Sequence, residues 1–403
     1  MRLVVQKYGG TSVGTPERIC HVAQRILETQ RQGCRVVAVV SAMGGVTDEL
    51  VRLGHAVAPQ PTKRELDILL STGEQGAAAL TAMAVNDLGG TAISLTGAQA
   101  GILTDRNHTR ARIANISPKQ IHELLNEDYI VIVAGFQGQT AEGETTTLGR
   151  GGSDLTAIAL AAALKADLCQ IYTDVDGVYT ADPRIVPKAK KLERIAHDEM
   201  LELASLGAKV LQIRSVEFAK RYGVKVHVRS SFNEEEGTWV VEEDPSMEEV
   251  TVAGVAADLN QAKLTLVRVP DRPGIAAHVF GPIADAGIVV DMIIQNASAD
   301  GTTDLTFTAP RDDYEKAKKV LEAVARDVGA ETVRAETGVA KVSIVGLGMR
   351  THAGVAARMF DVLSKAGVNI QMISTSEIKI SVVIDANYVE LAQRVLHDEF
   401  VTA

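Results

Sequence analysis

Short apolar runs that are typical of fully buried strands constrain this sequence more than any other feature. Val36–Val40 contains only valine and alanine, and Ile130–Val133 contains only isoleucine and valine. A third run follows at Leu168–Ile171, and helical segments such as Glu74–Val85 and Leu155–Leu164 separate the runs. Strands without polar alternation are covered on both faces, as in parallel sheets. The first half of the chain therefore predicts an α/β domain with a mostly parallel sheet between helices.

An internal repeat occupies the last third of the sequence. Ala262–Val267 matches Ala340–Val345, and Gly274–Ala277 matches Gly354–Ala357, at a nearly constant offset. Each copy has the pattern of a βαββαβ unit, which predicts two ferredoxin-like domains. The stretch Asn233–Glu249 before them is rich in glutamate, lacks lysine and arginine, and is typical of a solvated connector. We therefore predict domains at residues 1–232, 251–335 and 336–403, with the acidic connector at 233–250.

Composition excludes several classes of function. The chain of 403 residues has a net charge of −10 and only 4% aromatic residues, so it is a poor binder of nucleic acid or anionic membranes. Its three cysteines, Cys20, Cys34 and Cys169, show no metal-binding or disulfide spacing. No apolar run reaches the roughly 20 residues of a membrane span, and the N-terminus does not fit a signal peptide. We expect a cytoplasmic protein.

Three glycine-rich turns stand where a predicted strand leads into a helix: Lys7–Ser12, Ser41–Thr47 and Thr146–Asp154. Glycine lets backbone N–H groups approach a phosphate closely, and a helix N-terminus adds positive potential. One such turn alone is more simply explained as a tight structural turn, but three in one domain favour phosphate binding. The P-loop pattern and the dinucleotide-binding G-x-G-x-x-G pattern are both missing from these turns.

A polar loop, Thr173–Arg184, follows the run at Leu168–Ile171. Ligands bind at the carboxyl ends of strands in open α/β sheets, so this loop is a candidate nucleotide contact, with a solvated turn as the alternative. Its aspartates lack the spacing of a calcium loop, and the scattered histidines include no H-E-x-x-H motif. The sequence therefore offers no residues for a protein-held metal.

The motifs in combination resemble the aspartokinases of the amino-acid-kinase superfamily. The three glycine turns, Gly73-Glu74, Gly135–Gly138 and Thr173–Arg184 occur in that family's order, and the repeat is similar to its tandem ACT domains. The resemblance implies transfer of a phosphoryl group from ATP, with Mg²⁺ on the phosphates, to the β-carboxylate of L-aspartate. Such a carboxylate, with a pKa of about 3.9, is already ionised at neutral pH, so no general base is required. The electrostatic task is to bring an anion to a polyanion.

The resemblance also implies roles for individual residues. It assigns Glu74 to the ammonium group of aspartate and Arg150 to its α-carboxylate, and it assigns catalysis to Lys7, Asp154 and Lys209. The further substrate contacts are Thr47, Gly151, Gly152 and Ser153. The nucleotide contacts are Lys7, Tyr8, Gly9, Gly10, Ser41, Thr173, Asp174, Tyr179, Asp182, Arg184 and Lys209. The chain departs from the family at Gln212-Ile213, where His-Pro is frequent, and at Gln170, where Glu is frequent.

The repeats imply feedback regulation by threonine, lysine or both, in a homo-oligomer that pairs through its ACT domains. The effector contacts implied are Asp271, Ala276, Asp291 and Gln295 in the first copy, and Asn369, Ile370 and Ser376 in the second. Met247 could start a separate, short ACT-only subunit. The chain ends soon after the second copy, so we expect a form without a fused dehydrogenase. A dimerisation module without a ligand is the alternative interpretation of the repeats.

Two other functions stay open at this point. One is a kinase of the same superfamily that acts on glutamate, carbamate or UMP, which Glu74, Arg150 and the ACT repeats disfavour. The other is an amino-acid sensor that has kept the fold and lost catalysis, which the presence of Lys7, Arg150 and Asp154 disfavours.

Overall fold

The computed structural model describes residues 1–207, 210–244, 247, 251–296 and 301–401. The chain divides into two compact units. The first comprises Met1–Val178, Lys191–Ala204 and a segment that ends at Glu243, and the second comprises Tyr179–Lys190 and the segment that starts at Asp244. The loop Tyr179–Lys190 thus belongs to the second unit, although it lies within the predicted domain 1–232. No helix in the described ranges is long and apolar enough to cross a bilayer.

The first unit is built on an eight-stranded sheet in the order β10-β12-β11-β9-β1-β2-β6-β3, in which only the β11–β12 pair is antiparallel. A second sheet has the order β5-β4-β7-β8. The strands are β1 Arg2–Tyr8, β2 Cys34–Val40, β3 Ala92–Leu95, β4 Ile102–Thr104, β5 Ile113–Ile116, β6 Ile130–Ala134, β7 Gln137–Gln139, β8 Thr145–Thr147, β9 Leu168–Thr173, β10 Arg194–Ala196, β11 Val226–Ser230 and β12 Thr238–Val241. The helices are α1 Pro16–Arg31, α2 Val46–Val57, α3 Lys63–Asp87, α4 Lys119–Asn126, α5 Gly152–Ala163, α6 His197–Ser205 and α7 Ile213–Tyr222. The predicted parallel α/β fold is confirmed.

Local sequence explains how these elements form. Thr15 caps α1 by accepting a hydrogen bond from the Arg18 amide, and Pro16 occupies the first turn, where its missing N–H costs nothing. Every residue of Val36–Val40 in β2 and of Ile130–Ala134 in β6 is buried, so both faces of the sheet are covered at these strands. The segment predicted as the helix Glu74–Val85 is the second half of α3, whose small alanines pack closely into the core.

The second unit contains a six-stranded sheet in the order β14-β15-β13-β16-β18-β17. Its strands are β13 Gly254–Pro270, β14 Asp291–Gln295, β15 Thr302–Pro310, β16 Thr332–Val345, β17 Met372–Thr375 and β18 Lys379–Asp385. Its helices are α8 Ile275–Asp285, α9 Tyr314–Val328, α10 Val355–Lys365 and α11 Val389–Phe400. Two separate hydrophobic clusters lie beneath the helix pairs α8–α9 and α10–α11, so each repeat has its own core.

The two repeats share their longest strands. The start of β13, from Gly254 to Asp258, pairs with the end of β16, whereas Leu264–Val267 pairs with its beginning. Each of these strands therefore contributes first to one repeat and then to the other. The predicted boundary at 335/336 falls inside β16 for this reason, and the domain limits stay a prediction.

Candidate active site

The three glycine-rich turns meet around one cavity of about 830 Å³ in the first unit. Lys7 lies near the end of β1, and Ser41 directly follows β2. Thr47 lies in the first turn of α2, and Glu74 lies on α3. Of the residues named from the sequence, the lining includes Lys7, Gly9, Gly10, Ser41, Thr47, Glu74, Arg150, Gly151, Gly152, Ser153 and Asp154. The parallel strands β1 and β2 bring the first two turns to the same edge of the large sheet. The third turn, contrary to the expectation for a parallel strand, follows β8 of the second sheet, which pairs antiparallel with β7.

Two positions in these turns require glycine, the first because backbone approaches it closely and the second because of its positive φ and a neighbouring side chain. A Cβ on Gly10 would lie 2.8 Å from the carbonyl oxygen of Ala42, so the first two turns touch. Gly151 has φ +71°, and a Cβ there would lie 2.0 Å from the Cγ atom of Gln212. Gln212, one of the departures from the family pattern, thus packs against the turn that leads into α5.

Lys7 and Asp154 form an ion pair at the base of the cavity. The Nζ atom of Lys7 lies 2.6 Å from Oδ1 of Asp154, and both side chains are about a tenth exposed. Lys7 is the next-to-last residue of β1, and Asp154 lies in the first turn of α5. The carboxylate holds the ammonium group beside the open N-terminus of α5, where positive potential favours anions.

Glu74 is the most unusual carboxylate of the site. It is only 3% exposed, and its Oε1 atom accepts a hydrogen bond of 3.2 Å from the Ala42 amide. Its Oε2 atom has no hydrogen-bond partner within the described residues. Burial raises the pKa of Glu74 to about 7, although hydrogen bonds from backbone amides oppose the shift. An unsatisfied, buried carboxylate oxygen is suited to an ammonium ligand.

Asp67, a buried residue that none of the sequence motifs indicated, anchors two loops from the same helix as Glu74. Its carboxylate is fully buried and accepts hydrogen bonds from His108 Nδ1 at 2.8 Å, the Thr109 amide at 3.0 Å and Thr147 Oγ1 at 2.5 Å. Asp67 and Glu74 are seven residues apart, which is two helical turns, so they lie on one side of α3. A charged residue on the buried side of an apolar helix is the signal that could have identified it.

The remaining nucleotide candidates that the structure describes are not among the residues that line this cavity. The Tyr8 side chain is completely buried and stacks on Tyr172 with ring centroids 4.8 Å apart, so only its backbone is available to a nucleotide. Thr173 ends β9 and Asp174 follows it, and neither residue lines the cavity. Tyr179, Asp182 and Arg184 lie in the second unit, where Arg184 pairs with Asp182. Lys209 lies outside the described residues.

A smaller cavity of about 400 Å³ lies in the first repeat, where β13 leads into α8. Asp271, Ala276 and Gln295 line it, beside Gly274, whose φ of +90° opens the helix N-terminus. Three of the predicted effector contacts therefore lie together.

The other predicted effector contacts do not line this cavity. Asp291 forms an ion pair with the buried Lys341; burial opposes ionisation of Asp291, but this ammonium group holds its pKa below the usual range. Asn369 and Ser376 are exposed and Ile370 is half-buried, on either side of β17.

Comparisons with known proteins match both parts of the chain. The amino acid kinase family matches residues 2–230, and the ACT domain matches residues 263–326 and 342–400. The chain is 55% identical to an aspartate kinase from Pseudomonas putida over 401 residues, which cover 99% of this chain and 98% of that protein. It is also 55% identical to an aspartokinase from Pseudomonas aeruginosa over 402 residues, with 99% and 98% covered. The structure of Escherichia coli aspartokinase III in complex with aspartate and ADP, in the R-state, is similar with a TM-score of 0.84 at 28% identity and 100% coverage of both chains.

Proposed function

The chain belongs to the aspartate kinases of the amino acid kinase family, with ACT regulatory domains, and from this premise we propose its reaction. It transfers the γ-phosphoryl group of ATP to the β-carboxylate of L-aspartate and forms 4-phospho-L-aspartate. This product feeds the biosynthesis of lysine, threonine and methionine. The observation that carries the proposal is the buried Glu74, whose unsatisfied oxygen faces the same cavity as Arg150 and the Lys7–Asp154 pair.

Substrate recognition follows from the charges in the cavity. Glu74 accepts the ammonium group of aspartate, which supplies the hydrogen bonds that its Oε2 atom lacks. Arg150 binds the α-carboxylate through its planar fork of donors, and Thr47 and Ser153 add hydroxyl groups. An acid without an ammonium group would leave Glu74 buried and unpaired, so the site discriminates against it.

The nucleotide is bound at the glycine turns. Backbone N–H groups of Gly9 and Gly10 and the ammonium group of Lys7 approach the phosphates, and Lys209 is proposed to add a second cation. ATP is proposed to bring Mg²⁺ on its phosphates. Within the described ranges, no cluster of three or more histidine, cysteine or acidic side chains is placed to hold a metal ion.

The chemistry requires positioning and charge compensation rather than proton transfer. The β-carboxylate of aspartate is already ionised at neutral pH and attacks the γ-phosphorus directly. The cations of the cavity reduce repulsion between this anion and the triphosphate, and the bound geometry replaces a bimolecular encounter.

The decisive experiment measures ADP release by the purified chain with ATP, Mg²⁺ and a panel of acceptors. Hydroxylamine in the reaction traps an acyl phosphate as a hydroxamate. We expect a hydroxamate with L-aspartate and none with L-glutamate, carbamate or UMP. Turnover with another acceptor would identify a different kinase of the superfamily, and no turnover with any acceptor would indicate a sensor without catalysis.

Regulation is proposed to act through the ACT repeats. The cavity at Asp271, Ala276 and Gln295 combines an open helix N-terminus with a carboxylate, which suits the two charged ends of an amino acid. E. coli aspartokinase III has been solved with lysine and aspartate in a T-state; that structure is 28% identical to this chain, covers 99% of both chains and has a TM-score of 0.78. We propose threonine as the leading effector, with lysine acting alone or with it.

We further propose a cytoplasmic homo-oligomer that pairs through the ACT repeats. A short ACT-only subunit could start at Met247, the only methionine of the connector. The intact mass of protein expressed from the untagged gene tests this start site, because a second species beginning at Met247 would be resolved from the full chain.

A further inference from the structure

Three arginines line the active-site cavity: Arg150, Arg110, which the family resemblance did not assign, and Arg214. The guanidinium group of Arg214 already donates hydrogen bonds to the carbonyl oxygens of Leu148 and Ala111. Arg110 lines the same cavity as Arg150 and Glu74. Neither guanidinium group makes a hydrogen bond or an ion pair within the described part of the chain, although the other cation near the nucleotide turns, Lys7, is paired with Asp154. Two unpaired guanidinium groups and the buried carboxylate of Glu74, which has no cationic partner among the described residues, therefore face the same space.

Arg110 is held at this position by a constrained loop. The preceding residue, Thr109, has φ +71°, a left-handed conformation that a non-glycine residue keeps only where its surroundings hold it. Buried Asp67 fixes it by accepting hydrogen bonds from the Thr109 amide and from the neighbouring His108 ring. These hydrogen bonds hold the backbone immediately before Arg110 and so fix the position from which its side chain enters the cavity.

The same anchor fixes the segment that carries Arg150. Asp67 also accepts a hydrogen bond of 2.5 Å from Thr147, three residues before Arg150. The two arginine-bearing segments touch: a Cβ on Gly149 would lie 3.3 Å from the Thr109 carbonyl oxygen and 3.8 Å from Cγ of Arg110. One buried carboxylate thus sets the spacing between two cationic side chains.

We propose that Arg110 is a specificity-determining residue that binds the second carboxylate of the substrate, the one that is phosphorylated. L-aspartate has two carboxylates and one ammonium group, which match two guanidinium groups and Glu74. The inference rests on the proposed function. Arg110 holds one β-carboxylate oxygen while the other forms the new bond to the γ-phosphorus; the bond from that phosphorus to the bridging oxygen breaks, and ADP leaves with the electron pair.

The first test compares Arg110→Ala with Arg106→Ala. Arg106 lies in the same loop but pairs with the exposed Glu142 and does not line the cavity, so it is the matched control. Loss of a charged hydrogen bond predicts an aspartate KM raised by about tenfold or more in Arg110→Ala, with the ATP KM changed by less than about twofold. Arg110→Lys keeps the positive charge but lacks the paired donors of a guanidinium group. Its aspartate KM is expected to lie between those of wild type and Arg110→Ala. Circular dichroism verifies the fold.

A second measurement identifies which carboxylate Arg110 binds. L-aspartate α-amide, which lacks only the α-carboxylate, is titrated as a competitive inhibitor against aspartate. Arg110→Ala is expected to keep the wild-type preference for aspartate over the α-amide, whereas Arg150→Ala loses it.

Three results would overturn the proposal: an unchanged aspartate KM in Arg110→Ala, an equal rise in the ATP KM, or loss of the preference over the α-amide. Wild-type protein that phosphorylates no aspartate would instead refute the proposed function. Normal wild-type turnover with an unaffected Arg110→Ala refutes only this inference.

Discussion

The Nζ atom of Lys7 lies 2.6 Å from Oδ1 of Asp154, and both side chains are about a tenth exposed to solvent. The ion pair joins the end of β1 to the first turn of α5. It therefore has two roles that experiment can separate, one in stability and one in the proposed phosphate binding.

Lys7→Ala is expected to lower turnover by about a hundredfold or more, because a cation that stabilises the transferring phosphoryl group is lost. The variant also leaves Asp154 buried without its partner, which costs roughly 3–5 kcal/mol of folding stability. The double variant Lys7→Ala/Asp154→Asn should recover much of the stability and none of the turnover. Lys119→Ala, at an exposed lysine, is the control. Near-normal turnover in folded Lys7→Ala would show that the phosphate role is wrong.

Arg150→Lys is expected to raise the KM for aspartate more than the KM for ATP. Lysine keeps the positive charge but loses the bidentate geometry that fits a carboxylate. Steady-state kinetics with each substrate varied in turn measures the two constants, and Arg106→Lys serves as the control. An equal rise in both constants would place Arg150 on the nucleotide.

Glu74 predicts a pH dependence of both binding and stability. Its pKa of about 7 in the folded chain lies above the ordinary 4.5, so the folded state favours the protonated form. The contribution of Glu74 to the free energy of unfolding therefore falls as pH rises from about 4.5 to 7, by roughly 3 kcal/mol in total. The ammonium group of aspartate requires the ionised form, so the aspartate KM should rise as pH falls below 7.

Glu74→Gln separates these effects. At pH 8 the variant should unfold at a higher temperature than wild type, because a buried charge is removed, and it should bind aspartate poorly. Its residual aspartate KM should no longer change between pH 6 and 8. A wild-type aspartate KM that is flat over this pH range, or a lower melting temperature in the variant, contradicts the proposed role.

Variants at Thr147 test whether the hydrogen bonds to buried Asp67 position the substrate-binding segment. Thr147→Val keeps the shape of the buried side chain but removes one donor to the carboxylate, which costs about 1.5–3 kcal/mol of stability. Because the change also loosens the segment that leads to Arg150, the aspartate KM should rise more than the ATP KM. Thr147→Ser restores the hydroxyl group and should restore the KM. A stability loss with unchanged KM would limit Asp67 to a structural role.

Variants at Asp291 test the prediction that this residue contacts the effector. Asp291→Ala should keep uninhibited turnover and shift inhibition by threonine or lysine to about tenfold higher concentration or more. The ion pair with buried Lys341 requires a second variant, Asp291→Asn, which still accepts a hydrogen bond from that lysine. Asp285→Asn, at an exposed aspartate that does not line the cavity, is the control.

The measurement is inhibition of turnover as threonine or lysine is titrated into wild type and into each of these variants. Wild type that ignores threonine and lysine at millimolar concentration would refute the sensor interpretation. An Asp291→Ala variant that is inhibited as readily as wild type would place the effector elsewhere.

Local patterns in the sequence determined the fold class and the position of the main cavity. The β-branched runs of β2 and β6 predict buried parallel strands because no polar alternation interrupts them. The first two glycine turns predict a site because they follow β1 and β2, and parallel strands end at one edge of the sheet. The internal repeat predicts two similar domains, and the family comparison confirms the ACT assignment.

Only the tertiary structure decided which distant residues act together. Asp67 and Thr147 are 80 positions apart, and no local pattern relates them until α3 packs against β8. Asp291 and Lys341 likewise meet because β13 and β16 pass from one repeat to the other. The difference has a physical cause: periodicity and turn chemistry act over a few residues, whereas a buried charge selects its partner from whatever the packed fold brings within hydrogen-bond distance.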